Sequence, residues 1–191
     1  MDCNFDNTKI LCANGNISIY KLDSQNKDVR KMYRFLMKQP DDHVSPWGEK
    51  YNLKQCHERL KLNDKGEIIL YGILFSGKTE ICSIEKKMID LDQKIIGLIG
   101  INYNKKYFIK EYSGNYFTHV IVDHQYLKRG IGSIAMKLLL EHLKKNNTFN
   151  IDRVYAGIYC DNVKSINFHM NLGFKEEKIA DNIMILVYLF E

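Results

Sequence analysis

From residue 115 onward the chain alternates between two apolar patterns, and this alternation restricts its fold more than any other feature. "NYFTHVIVD" (115–123), "RVYAGIY" (153–159) and "IMILVYLF" (183–190) are short and rich in β-branched and aromatic residues, as strands are. Between the first two, Ile131, Ile134, Ala135, Leu138 and Leu139 fall on one stripe of a helix spanning 130–145. Between the last two lies a second helical pattern, 162–172. A strand, helix, strand, helix, strand succession makes an α/β domain.

Upstream, "NISIYKL" (16–22) alternates as a strand does, and "DVRKMYRFLMK" (28–38) carries apolar residues at helical spacing. Both prolines and the single tryptophan sit in "QPDDHVSPWGEKY" (39–51), which reads as a loop. Asn52 and Gln55 occupy capping-box positions before a short second helix. "EIILYGILFSG" and "KIIGLIGINYN" read as buried strands, whereas 78–93 between them is too long for a tight turn and takes no clear pattern. A chain of 191 residues with 45% hydrophobic content suits one domain with a real core and no staples. The five cysteines (Cys3, Cys12, Cys56, Cys82, Cys160) are odd in number and lack metal-type spacing, so reduced thiols in a cytoplasmic setting and no metal site are expected. No apolar run nears the roughly 18 residues of a spanning helix, so no membrane association is expected. The net charge of +5 is modest and spread along the chain, which permits anionic partners without arguing for nucleic acid; none is expected.

The segment "HQYLKRGIGSIAMKLLLEHL" (124–143) places Gly130 and Gly132 among cations at the start of a helix. The first turn of a helix leaves amides unpaired and carries partial positive charge, so a phosphate can dock on the main chain where no side chain holds it off. Lys128 and Arg129 add charge. Equally, the two glycines can serve a tight turn and close packing alone. Gly130, Gly132 and Ala135 formally match a dinucleotide fingerprint, but "HQYLKR" separates them from the strand and Asp161 lies 31 positions beyond Gly130, where about 20 is required.

Taken together, "VIVDHQYLKRGIGSIAMKLL" and, some thirty residues on, "YCDNVKSINFHMNLGFKEE" resemble the GNAT superfamily of acetyl-CoA-dependent N-acetyltransferases across 115–178. The resemblance implies a single domain over 1–191, with a mixed central sheet flanked by helices. It implies that the loop Leu127, Lys128, Arg129, Gly130, Ile131, Gly132, continuing into Ser133 and flanked by Val122, cradles the coenzyme pyrophosphate on its amides. Leu127 departs from the family's Gln or Arg. The second pattern falls on Asn162, Ser165, His169, Gly173 and Phe174, with His169 in place of the usual tyrosine, as in the phosphinothricin-acetyltransferase-like branch. Asn162 is also a good helix N-cap, Gly173 a good C-cap, and Asn162, Ser165 and His169 share one stripe.

Acetyl transfer to an amine needs a base, a donor for the developing oxyanion, best a backbone amide of the central strand, and a proton for the leaving thiolate. His169 is the candidate acid. His119, on the strand where the resemblance places the reactive end of the cofactor, is the candidate base, as a group titrating near neutrality; packing explains it equally well. The resemblance places the acceptor near the first two helices and their loop, roughly 28–62, where Trp47 and Glu49, with Asp41 and Asp42, are candidate substrate contacts. Lys105, Lys106 and Lys110 could meet an anionic substituent. The expected acceptor is a small polar amine, an amino-sugar phosphate or an amino acid. A protein N-terminal or lysine acetyltransferase and a non-catalytic acetyl-CoA-binding module remain open, as does a homodimer.

Overall fold

The computed structural model describes residues 10–36, 53–65, 68–76, 94–103, 110–146 and 150–190. Among the described residues, eight strands form one sheet in the order β1-β2-β3-β4-β5-β6-β8-β7. They are β1 (Ile10–Asn14), β2 (Ile17–Lys21), β3 (Ile68–Phe75), β4 (Lys94–Tyr103), β5 (Tyr116–Val122), β6 (Arg153–Tyr159), β7 (Lys175–Ala180) and β8 (Ile183–Leu189), with helices α1 (Lys27–Leu36), α2 (Leu53–Asp64), α3 (Ile131–Lys145) and α4 (Val163–Met170). Every neighbouring pair is antiparallel except β5 and β6, which run parallel across the α3 crossover. The sheet is thus mixed and the domain α/β, as expected.

Two strands escaped the apolar pattern. Strand β1 joins β2 through the two-residue turn Gly15 and Asn16, with Gly15 at φ 58°. Strand β7, "KEEKIA", is an edge strand with mostly exposed residues, so no apolar face marks it. Its turn into β8 is Asp181 and Asn182, at φ 49° and 62°, the left-handed pair that a tight hairpin demands.

The helices take opposite faces. Helices α3 and α4 cover a cluster that includes Ile131, Leu139, Ile166 and Phe174, while α1 and α2 cover one that includes Val29, Leu60, Leu98 and Ile121. On the face that Phe117 shares with Ile121, Tyr112, Phe117 and Tyr155 form a smaller aromatic cluster. Strand β4 passes very close to β3: a Cβ on Gly100 would lie 2.0 Å from the Ile69 carbonyl oxygen, so only glycine fits. No described helix is long and apolar enough to cross a membrane.

Candidate active site

Strands β4 and β5 pair in unbroken register from Tyr103 opposite Tyr116 to Gly97 opposite Val122. Strands β5 and β6 share one pairing, Phe117 opposite Tyr155, where the Thr118 hydroxyl also donates to the Tyr155 carbonyl at 3.2 Å. Beyond that point the two strands diverge and a wedge opens between them. Just past β5, the Asp123 amide donates to the Ile96 carbonyl of β4 at 2.7 Å. Amides alternate sides along a strand, so those of Ile121 and His119 also face β4 and those of Val122 and Val120 face the wedge. A row of main-chain donors therefore looks into a gap with no sheet partner.

At the end of β5 the chain turns sharply into α3. Asp123, buried, accepts from the Gln125 amide at 3.1 Å; Lys128 then adopts φ 60° and Gly130 φ 72°. The first helical bond runs from the Ile134 amide to the Gly130 carbonyl at 3.0 Å. No side chain caps this end, which leaves the amides of Ile131, Gly132 and Ser133 without an intrahelical acceptor. The two glycines do different work. A Cβ on Gly130 would meet nothing within 4 Å, so the residue is glycine for its left-handed backbone; a Cβ on Gly132 would come within 3.4 Å of Phe168 on α4 and 3.7 Å of Val122. Lys128 and Arg129 are exposed and Leu127 half-buried. The Arg129 guanidinium stands 5.5 Å from the centre of the Tyr126 ring and the Lys94 ammonium 5.7 Å from it, so two cations flank one buried aromatic beside the turn.

On α4 the Asn162 side chain accepts from the Ser165 amide at 3.1 Å, a helix cap. The Ser165 carbonyl lies 2.8 Å from His169 Nδ1. A carbonyl can only accept, so Nδ1 carries hydrogen and the neutral ring keeps its lone pair at Nε2, which is buried without a hydrogen-bond partner. The ring is 5% exposed and meets Phe168 and Phe174 edge-on, with centroids 4.9 and 5.1 Å away. Burial pulls its pKa below the ordinary histidine value, against the opposing pull of the Ser165 bond. His169 therefore rests neutral and must first gain a proton at Nε2 before it can act as the acid anticipated from the sequence.

His119 shares its direction on β5 with Phe117 and Ile121, the residues that pack beneath the α1 and α2 face. The two candidate catalytic histidines consequently lie on opposite faces of the sheet. Burial, and next the Arg59 guanidinium, push the His119 imidazole down to about 3. This corrects the expectation that it titrates near neutrality: the ring is uncharged throughout the physiological range.

The model of the acetyltransferase (GNAT) family matches residues 40–174. The chain belongs to the GNAT acetyltransferase family. It is accordingly an acyltransferase. Its fold is similar to that of a GNAT-family acetyltransferase from Bordetella pertussis, at 17% identity and TM-score 0.65 over 92% of this chain and 97% of the other. It is similar too to an acetyltransferase from Salmonella typhimurium solved with acetyl-CoA, at 12% identity and TM-score 0.61 over 93% and 95% of the two chains. A spermidine N-acetyltransferase from Vibrio cholerae, solved with CoA and spermine, matches at 13% identity and TM-score 0.65 over 92% and 96%. At these identities the likeness concerns the fold. No curated protein matches the chain in sequence.

Within this GNAT domain the structure brings Val122, Gly132 and α4 together and sets Leu127 to Ser133 around one helix start. Trp47, Glu49, Asp41, Asp42, Lys105 and Lys106, together with the segment 78–93, lie outside the described residues, as does the side chain of Lys110. Sequence reasoning overlooked Phe168 as the surface behind Gly132, Thr118 at the strand split, and Arg59 with Asn102 beside His119. Phe168 and Arg59 carried no local signal. Thr118 offered only its place in an alternating strand.

Proposed function

We propose that the chain transfers the acetyl group of acetyl-CoA to the primary amine of a small polar metabolite. One observation carries this reading: the amide-lined wedge between β5 and β6 runs directly into an uncapped helix start. A pantetheine arm suits the wedge, and a pyrophosphate suits the amides of Ile131, Gly132 and Ser133, with Lys128 and Arg129 flanking them and open space over Gly130. Acetyl-CoA, when bound, supplies the activated thioester carbonyl. The Val120 or Val122 amide then donates to the negative charge that develops on the carbonyl oxygen. The reaction moves one proton from nitrogen to sulfur, and His169 Nε2, with its free lone pair, can take up a proton and release it. His119, uncharged, positions the acceptor.

Asn162, Ser165 and His169 follow the phosphinothricin-like pattern, and this favours an amino acid or an amino-sugar phosphate as acceptor, with Trp47 and Glu49, which precede α2 in the sequence, as its contacts. A cytoplasmic location and a homodimer complete the reading. Release of CoA measured across small amines and peptides tests it, with calorimetry for acetyl-CoA binding. Saturable binding and turnover of a small amine are the expected results. Acetylation of peptides with no small amine turned over would overturn the choice of acceptor, and binding without any turnover would make the domain a sensor.

A further inference from the structure

The wedge between β5 and β6 ends in a built floor. The strands meet at one pairing, Phe117 opposite Tyr155, and one residue toward the open end the Thr118 hydroxyl donates to the Tyr155 carbonyl at 3.2 Å. That bond ties side chain to backbone at the last level before the strands part. On one face of the junction three aromatic rings fill the space. Phe117 and Tyr155 stack with centroids 5.5 Å apart and 30° between their planes, and Tyr112 meets both edge-on, at 6.3 and 5.1 Å. All three are buried, and Ile183 and Ile185 of β8 join them in one cluster. On the other face Val154, Ala156 and Ile158 of β6 belong to the core beneath α3 and α4. Interiors packed in this way hold few voids, so such a floor does not yield freely to an added methylene.

The depth of the wedge decides what the floor excludes. The amides of Val120 and Val122 face the gap two and four residues from Thr118, which at about 3.3 Å per residue puts them about 7 and about 13 Å from its level. A pantetheine arm arrives from the α3 start, at the open end, so whatever follows its sulfur continues toward the floor. For a thioester carbonyl held on the Val120 amide, a carbon contact of about 3.5–4.0 Å with the floor leaves roughly 3 Å for the acyl chain. The acetyl methyl, one bond of about 1.5 Å beyond the carbonyl carbon, fits. A butyryl chain, with two more carbons, does not. A carbonyl held on Val122 would leave room for several more carbons.

We propose that this floor is the acyl-length stop of the donor site: Thr118 and the stacked Phe117 and Tyr155 hold the wedge shut at a depth that admits an acetyl group on the Val120 amide and rejects a butyryl group. This rests on the acetyltransferase reading above and deepens it by naming what limits the donor. The transfer is the same for any acyl group: the amine nitrogen bonds to the acyl carbon, the carbon–sulfur bond breaks, and the proton of the nitrogen passes to the thiolate. Selection among donors is therefore steric and is made when the donor binds.

Calorimetry on the full chain with acetyl-CoA, propionyl-CoA and butyryl-CoA tests the stop and needs no acceptor. Butyryl-CoA should bind roughly 10- to 200-fold more weakly than acetyl-CoA, the usual discrimination of an apolar pocket against a chain that is too long, with propionyl-CoA between them. Thr118→Val, which keeps the shape and removes the hydroxyl, should narrow the acetyl-to-butyryl ratio by roughly 3- to 10-fold, the worth of one hydrogen bond. Phe117→Leu, which takes a ring from the floor, should narrow it in the same direction. Thr118→Ser restores the donor and should keep the ratio of the unaltered chain, a rescue that packing alone would not give. Circular dichroism on each variant separates loss of fold from loss of selection. Equal affinity for acetyl-CoA and butyryl-CoA in the unaltered chain, or an unchanged ratio in both Thr118→Val and Phe117→Leu, would overturn the stop alone. Failure of acetyl-CoA to bind the unaltered chain would defeat the reading of the wedge and this inference with it.

Discussion

Exchanging Gly130 and Gly132 for alanine, one at a time, should give opposite results, because the two residues are glycine for different reasons. Gly130 sits at φ 72° with nothing within 4 Å of a built Cβ, so alanine there strains only the backbone, at about 1–2 kcal/mol. Gly132 lies inside the first turn of α3, with 3.4 Å between a built Cβ and Phe168, the near edge of ordinary contact. Alanine there gains up to about 1 kcal/mol of helix propensity. The two variants should therefore differ by roughly 1–3 kcal/mol, and at about 2–4 °C per kcal/mol for a chain of this size their Tm values should lie about 2–12 °C apart. Thermal and urea unfolding followed by circular dichroism measure this. Binding gives a second readout: the Gly132 Cβ direction points at Phe168 and Val122, away from the amides, so Gly132→Ala should keep its affinity for acetyl-CoA. Gly130→Ala, which disturbs the turn that aims those amides, should lose about tenfold or more, equivalent to about 1.4 kcal/mol. Equal destabilisation of the two variants, or loss of binding in Gly132→Ala alone, would refute this division of roles.

Gly100→Ala should destabilise the fold by about 1–3 kcal/mol or more, since its Cβ would start 2.0 Å from the Ile69 oxygen; urea unfolding at unchanged wild-type m-value would measure the loss, and a wild-type midpoint would contradict the close approach. His119 is pushed from 6.5 to about 3 in the folded chain, so between those values the unfolded state binds the extra proton. Its contribution to stability is complete above pH 6.5 and falls as pH drops toward 3, by at most about 1.4 kcal/mol per unit. His119→Phe should accordingly move acid unfolding to lower pH, and an unmoved midpoint would count against the buried neutral ring. His169→Ala should lower turnover by roughly 10²- to 10⁴-fold, the range for a positioned proton carrier, while acetyl-CoA affinity stays near that of the unaltered chain; wild-type turnover in a folded variant would leave His169 as packing.

Apolar periodicity reports which residues need burial, and the elements it revealed are those with a buried face: β3 and β4 through the Ile-rich core, α3 through its stripe. Strand β7 has little to bury, so only its turn could have announced it, and Asp181 with Asn182 is a weaker signal than a glycine-containing pair. The site divides along the same line. The glycines at the start of α3 were legible because helix starts and anions obey local rules, but the neighbour of Gly132 is Phe168, 36 positions away in sequence, and no local rule supplies it. Residue type alone gives a histidine its solution pKa; the shift of His119 comes from the sheet face it occupies and from Arg59 on another element, and a lone arginine on a helix reads as solvated. The stripe on α4 is the most instructive case. Spacings of three and four put Asn162, Ser165 and His169 on one side, and that much was correct. The same spacings, however, bring each side chain within reach of the helix's own backbone. Asn162 therefore caps the Ser165 amide and His169 Nδ1 spends its hydrogen on the Ser165 carbonyl, so part of what the stripe could offer a ligand is spent on the helix itself, while the buried His169 Nε2 is left without a partner.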